Sequence, residues 1–514
     1  PSATRRRPED SLLQAHERFP PHSPREPLPT LPGGGPVVHL VAEYWPFART
    51  GGLAEAVRGL AEYQVAAGQR VAVVMPLHRQ VLDRGTELLP VGAPYDIPVG
   101  LGQEPAQLYR HSGDEASPDV YFIGNRRYFD RPQVYGEGQD YPDNAARFAF
   151  FARAALEALP RITSQAAVLH AHDWHTTLAV VYLRHHFAGR AFYDRIAGVI
   201  TVHNAAFQGH YGPEVLDEIG LPASFYDWRL MEWYGHVNVL KGGLALCDLA
   251  TTVSPTHADE LRTPEGGFGL HDHYAAMGDR FLGVVNGIDD DFWNPQTDPF
   301  ITANFGPADP APKARCKRAA QRTYGLAQRT RAPLVAMSAR LVEQKGLDLV
   351  LADDHLLEAD AQFVFLGRGE PRYEDALVAF AGRAPDRVVV PLTFSERAEH
   401  RLLAGADILL MPSQFEPCGL TQMRAQRYGA LPVGRRVGGL RDTIEDDVTG
   451  FMFAEYRADA FEAALSRAVT AFHHRARWDA LVQRVMQLDR SWSKSAARYQ
   501  AVYARAIARR RAGY

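Results

Sequence analysis

Two short segments carry the residue types from which a receptor for a sugar diphosphate could be built. Ser338-Ala-Arg340-Leu-Val-Glu-Gln-Lys345-Gly346 offers a guanidinium and, five residues on, an ammonium. Ser413-Gln-Phe-Glu416-Pro-Cys418-Gly419-Leu420-Thr421-Gln422 sets a carboxylate beside a Gly-Leu-Thr helix start. Unpaired N–H groups at a helix N-terminus and two fixed cations suit phosphate oxygens. The carboxylate suits a sugar hydroxyl.

Both segments follow apolar runs, Leu334 to Met337 and Ile408 to Met411, that read as buried parallel strands. Their polar residues should therefore emerge at the carboxyl ends of those strands, where open α/β sheets bind ligands. The same unit opens the ordered part of the chain. Val37 to Ala42 reads as a strand and Glu43 to Gly52 as a loop. Leu53, Val57, Leu60, Ala61 and Val65 then share one helical face, and a second strand, Val71 to Met75, follows the helix stop at Gly68. Further strand signals fall at Ala167 to His170, Gly198 to Val202, Ala250 to Val253, Leu282 to Val285, Phe363 to Leu366 and Arg387 to Val390. Strands alternating with helices predict an α/β fold with parallel sheets covered on both faces. So many units suit two Rossmann-like domains better than one sheet, and a barrel would be shorter and more evenly spaced. The loosely patterned stretch from Pro295 to Arg331 marks the boundary, giving domains over residues 36–294 and 295–490.

Bulk properties exclude several classes. At 514 residues the chain is too long for one core. A net charge of −4 gives no pull toward nucleic acid or an anionic membrane. Cys247, Cys316 and Cys418 are odd in number and lack CxxC spacing, so neither a disulfide framework nor a zinc site is expected, and the reducing cytoplasm is the default location. No apolar run approaches the roughly 18 residues needed to cross a bilayer, and no cleaved signal pattern opens the sequence. Residues 1–35, with Arg5-Arg6-Arg7, many prolines and Gly33-Gly34-Gly35, read as a flexible extension.

Other polar clusters admit both a functional and an ordinary reading. Arg49-Thr-Gly51-Gly52-Leu-Ala-Glu55 lies in a βα turn, where glycines let backbone approach a ligand and a helix start favours an anion. The same glycines also serve as turn punctuation, as do Gly438-Gly439-Leu440 after Arg435-Arg436. His170-Ala-His172-Asp173-Trp-His175 invites a metal reading. The two-metal hydrolase pattern places its aspartate one position later, and strand alternation aims His170 and His172 away from Asp173. The expectation is a polar turn without metal, Asp173 reaching a sugar hydroxyl. His203-Asn204 forms a second such turn. Asp289-Asp290-Asp291 contains an Asp-x-Asp but follows Asn286-Gly-Ile, as an acidic turn entering a linker does.

Taken in order, Arg49-Thr-Gly-Gly-Leu-Ala-Glu, His170-Ala-His-Asp-Trp-His, Thr201-Val-His-Asn, Thr252-Val-Ser-Pro-Thr, Asn286-Gly-Ile-Asp, Arg340-Leu-Val-Glu-Gln-Lys-Gly, Glu416-Pro-Cys-Gly-Leu-Thr-Gln and Arg435-Arg-Val-Gly-Gly-Leu resemble the bacterial glycogen synthases and plant starch synthases. The resemblance runs from about Val37 to the C-terminus. It implies a retaining glycosyltransferase of the GT-B fold, with two domains facing a cleft, that transfers glucose from ADP-glucose to the non-reducing 4-hydroxyl of an α-1,4-glucan such as glycogen.

The resemblance also implies roles. Arg340 and Lys345 would hold the donor diphosphate and neutralise it as it leaves, so no metal or other cofactor is expected. Glu416 would orient the glucose, with Cys418, Gly419, Leu420 and Thr421 beside it. His203, Asp173, Asn204 and Asn286 would contact sugar, Tyr135 would meet the donor from the first domain, and Phe394 would stack on adenine. Arg49, Gly51, Gly52 and Glu55 complete the expected binding set, and residues 491–514 would form a helix crossing back to the first domain. The family usually has Lys at Arg49, Arg at Gln414, Tyr at Arg424, an aliphatic residue at Gly434 and Thr at Val437, all around the donor-facing half. A relative using another nucleotide sugar, or a weakly active glucan-binding paralogue, shares these motifs. Oligomeric state and acceptor length are not encoded in them.

Overall fold

The structure is a computed structural model describing residues 25–100, 102–112 and 117–513. Two sheets organise it. The first has ten strands, seven of them parallel in the order Phe281–Gly283, Leu249–Thr252, Ala197–Val202, Val168–His172, Val37–Leu40, Val71–Pro76, Asp119–Gly124. Antiparallel strands from residues 89–111 extend its far edge. The second sheet is wholly parallel, with six strands in the order Val388–Val389, Gln362–Leu366, Leu334–Ser338, Ile408–Met411, Leu431–Arg435, Phe451–Phe453.

Continuous burial along Val37–Leu40, Ala197–Val202 and Ile408–Met411 explains why these strands read as unbroken apolar runs. Helices cover both faces, so no residue of such a strand alternates out to water. The hairpin Tyr95–Val99 with Gly102–His111 gives no such run, because it is half exposed, and it was not expected from the sequence.

Each sheet carries its own apolar core, and the second already includes Ile288 and Trp293. The last helix, Ser493–Arg511, packs on the first sheet rather than the second. Trp492, Ala496, Tyr499, Val502, Tyr503 and Ile507 share a cluster with Val37, Val168 and Leu249. The chain crosses where Gly287 meets the backbone of Trp492 so closely that a side chain there would collide. Ile288 N donates to Arg490 O across the same junction, at 2.8 Å.

Residues 25–35 correct part of the expected flexible extension. Leu31 is buried in the cluster that holds the last helix, Leu28 N donates to Ala67 O at 3.0 Å, and Arg25 pairs with Asp290 and Asp291 at 3.0 and 2.8 Å. Two spaced leucines and one arginine suffice to dock a proline-rich segment whose composition alone looked solvated. Residues 1–24 of that extension lie outside the described residues. Among the described residues no helix is long and apolar enough to cross a membrane.

Candidate active site

The carboxyl ends of the two sheets meet across a cleft, and the second domain supplies the cations. Strand Leu334–Ser338 leads to Arg340, which is exposed, two residues on. A short 3₁₀ turn, Glu343–Lys345, ends at Gly346, which has a left-handed φ of 72°. A side chain there would run into the carbonyl of Pro412, so only glycine lets this turn lie against the 413–416 loop. That contact brings Lys345 Nζ to 2.6 Å from Glu416 Oε2, which also accepts from Ser413 Oγ at 3.0 Å. Glu416 is 5% exposed, so a buried carboxylate is compensated by an ammonium and a hydroxyl.

The 416–421 loop owes its shape to neighbours that sequence patterning could not supply. Gln422 Nε2 donates to the carbonyls of Cys418 and Gly419 and to Thr443 Oγ1, at 2.9 to 3.0 Å. Gly438 and Gly439 press on the backbone of Glu416 and Cys418 so closely that any side chain would collide, and Gly439 N donates to Glu416 O at 3.0 Å. Thr421 then opens a helix with Leu420 as its N-cap. Across the cleft lies the start of helix Gly52–Ala66, where a side chain at Gly52 would just reach Leu420. The two predicted glycine-bearing helix starts thus face each other. Asn286 sits beside them with its side-chain oxygen buried and unpartnered among the described residues, and its backbone meets the Cys418 thiol. Burial pushes that thiol up to about 12.

On the first-domain side, Asp173 does something other than wait for a hydroxyl with both oxygens. Its Oδ1 accepts from the backbone N–H of His203 at 2.7 Å and, more weakly, of Asn204 at 3.4 Å, tying the two polar turns together. Asn204 Oδ1 in turn accepts from Ala206 N at 3.1 Å. Burial raises Asp173 to about 7. Glu43, in the loop after the first strand, is a further member that no motif marks. It accepts from the backbone of Thr50, orders the Arg49 to Gly52 loop, and bonds the Tyr135 hydroxyl. Burial lifts it to about 7 as well. The available signal was an acidic residue directly after the apolar run of the first strand.

Arg49 and Glu55, expected on substrate, are held in an ionic network. Arg49 lies 2.7 Å from Glu55 and 3.1 Å from Glu396 of the second domain. Glu55 also pairs across the cleft with Arg424, which lies 3.5 Å from Glu399 and stacks its guanidinium 4.3 Å from the Trp293 ring. Two departures from the family pattern, Arg49 and Arg424, therefore share one carboxylate. Gln414 accepts at its backbone carbonyl from Arg435, and a side chain at Gly434 would meet Ile444 and Leu440. Phe394, two residues before Glu396, is 45% exposed.

His39, His170 and His172 bring ring nitrogens within 4.8 Å of one another. Hydrogen bonds engage them: His39 Nδ1 with His172 Nε2 at 3.0 Å, and His170 with Tyr503 and Thr201 at 2.9 and 2.7 Å. His175 instead packs on Tyr135 and Phe148, with ring centroids 4.5 and 4.7 Å away. The acidic turn at Asp289 is likewise engaged, its Oδ1 accepting from Asp291 N and Phe292 N.

Comparison with known proteins adds to this geometry. Residues 36–276 match the family described as starch synthase catalytic domain, and residues 325–483 match glycosyl transferases group 1. The chain is 42% identical to a glycogen synthase of Anaeromyxobacter dehalogenans strain 2CP-C, over 91% of this chain and 98% of that one. It is 40% identical to glycogen synthase 2 of Geobacter sulfurreducens, over 92% and 99%. Among solved structures, the catalytic domain of starch synthase IV from Arabidopsis thaliana, bound to ADP and acarbose, superposes with a TM-score of 0.84 at 33% identity, covering 92% of this chain and 99% of that one. A sucrose-phosphate synthase from Thermosynechococcus elongatus shares the fold, with a TM-score of 0.57 at 16% identity over 91% of this chain and 98% of that one.

Proposed function

The chain belongs to the glycogen synthase family and is a glucan-forming glycosyltransferase of the GT-B fold, and on that premise we propose that its donor is ADP-glucose and its acceptor the non-reducing 4-hydroxyl of an α-1,4-glucan. The observation that carries this reading is the Lys345, Glu416 and Ser413 cluster at the carboxyl ends of two parallel strands, with exposed Arg340 beside it and the start of helix Gly52–Ala66 opposite. The likeness to a starch synthase bound to ADP supports the choice of nucleotide.

In this mechanism the diphosphate lies between Arg340, Lys345 and the helix starts. Lys345 then exchanges part of its contact with Glu416 for the leaving phosphate, so countercharge grows where charge develops. Glu416 is freed toward the glucose, while Asp173 and His203 shape its first-domain wall. The acceptor hydroxyl attacks on the face the phosphate leaves, the phosphate takes its proton, and the α configuration is retained. Two fixed cations supply the charge neutralisation, so the reading requires no metal or other cofactor, and a cytoplasmic location suits it.

Labelled ADP-glucose and UDP-glucose, offered separately with glycogen, test the donor. Label should enter the glycogen from ADP-glucose at least about tenfold faster. Preferential incorporation from UDP-glucose would overturn the donor choice, and none from either would mark a glucan-binding paralogue.

A further inference from the structure

Hydrogen-bonded side chains run in single file from the interior of the first domain to the cleft. Gln64, on the buried face of helix Gly52–Ala66, places Oε1 2.9 Å from His39 Nε2. His39 Nδ1 lies 3.0 Å from His172 Nε2, and His172 Nδ1 lies 3.0 Å from His203 Nε2. Gln64, His39 and His172 are at most 1% exposed, and His203 is half-buried at the end of strand Ala197–Val202. Burial holds all three rings far below the ordinary histidine range, His39 at about 4 and His203 at about 3. They are neutral at neutral pH.

A neutral imidazole has one N–H and one lone pair, so a file of such rings has a direction fixed where it terminates. Here the terminus is an amide oxygen, which can only accept. Its partner nitrogen, Gln64 Nε2, is turned to the Tyr503 hydroxyl at 3.3 Å. His39 therefore donates from Nε2 and accepts at Nδ1, His172 repeats the pattern, and His203 donates from Nε2 to His172. The one nitrogen of His203 outside the file is Nδ1, and it carries a lone pair. A second branch obeys the same amide. Tyr503 accepts from Gln64 and donates to His170 Nδ1 at 2.9 Å, and His170 Nε2 donates to Thr201 Oγ1 at 2.7 Å. Donation therefore runs into the amide along the first branch and out of it along the second.

We propose that Gln64, His39 and His172 are positioning residues that lock His203 in its Nε2–H form, so that Nδ1 meets the transferred sugar as a hydrogen-bond acceptor and selects a hydroxyl that can donate. The selection of a sugar rests on the reading of the cleft given above. The tautomer does not.

The test is nitrogen NMR of full-length protein carrying ¹⁵N-histidine at neutral pH, with His203 assigned by its loss in His203→Asn. Two-bond couplings should show His203, His172 and His39 protonated at Nε2 alone. Gln64→Leu removes the terminal acceptor, so His203 should become a mixture of tautomers and kcat/KM for the donor should fall about tenfold. A wild-type His203 protonated at Nδ1, or an Nε2–H form unchanged in folded Gln64→Leu, would overturn the proposal. Should Gln64→Leu fail to fold, the wild-type tautomer alone decides. Nε2–H rings in a protein that transfers no glucose would support the file while removing the function it was placed to serve.

Discussion

Lys345 already has a buried carboxylate as its partner at 2.6 Å, so removing it has two effects of different kind. Lys345→Ala withdraws countercharge from the leaving diphosphate and leaves Glu416 without its ammonium. We expect a loss of about 2–4 kcal/mol of transition-state stabilisation, together with a measurable drop in melting temperature. Arg340→Ala should cost a similar amount in kcat with no change in melting, because Arg340 is exposed. Steady-state kinetics paired with thermal melts separate the two. Near-normal turnover in a folded double variant would remove the diphosphate clamp. The positions of Arg340, Lys345 and Glu416 just beyond two parallel strands were legible in the sequence, because strand ends and helix starts have local signatures. Glu43 was not, because its hold on Thr50 depends on how the intervening loop folds back and Tyr135 is distant in the chain.

At the scale of elements, the strands of the first sheet and the segments that follow their ends carry a load of neutral buried histidine. Burial depresses His39 to about 4 and His175 and His203 to about 3, and holds His170 and His172 well below their ordinary range. Unfolded, each titrates near 6.5. Between these values the unfolded state binds more protons, so the stability they contribute is full above pH 6.5 and is lost as pH falls toward 4. Glu43 and Asp173, both raised to about 7 by burial, act in the opposite sense and favour the fold as pH falls below 7. Five histidines outweigh two carboxylates. Between pH 7 and 5 the first domain should lose on the order of a few kcal/mol, seen as a falling unfolding midpoint. A midpoint that rises over this range would show that these rings are not neutral in the fold. The last helix offers a second measure. Gly59 touches the Trp492 indole so closely that Gly59→Ala must displace it, at a cost of about 1–3 kcal/mol read in a melt. Unchanged melting would mean that this contact is loose.

Across the whole molecule, the two domains are joined by charge as well as by shape. Glu55 receives Arg49 from its own domain and Arg424 from the other, while Glu396 reaches Arg49 in return. Beside this network, Asp442 accepts from Thr256 at 2.6 Å, and Glu260 accepts from Gly438 N at 2.8 Å. Arg424→Leu leaves Glu55 and Glu399 short of a buried partner, so the donor-free protein should scatter X-rays as a more open particle and regain compactness with saturating donor. Identical scattering profiles for variant and wild type would remove the bridge. Exhaustive chelation, by contrast, should leave turnover intact if the proposed clamp of Arg340 and Lys345 meets the charge on the leaving group. Loss of activity together with one stoichiometric metal would reverse that assignment.

The sequence by itself determined the parallel strands, the two-domain α/β order and the cation, carboxylate and glycine motifs. Each depends on residues within one strand or one turn, where apolar runs and helix starts are written locally. Tertiary structure decided what those groups touch. It drew residues 25–35 onto the last helix, turned Asp173 toward the backbone of His203, joined Arg49 to Arg424 through Glu55, and lined up His39, His172 and His203 behind Gln64. Hydrogen bonds and ion pairs of this kind join residues up to several hundred positions apart. Their partners follow from how sheets and domains pack, and no local spacing records them.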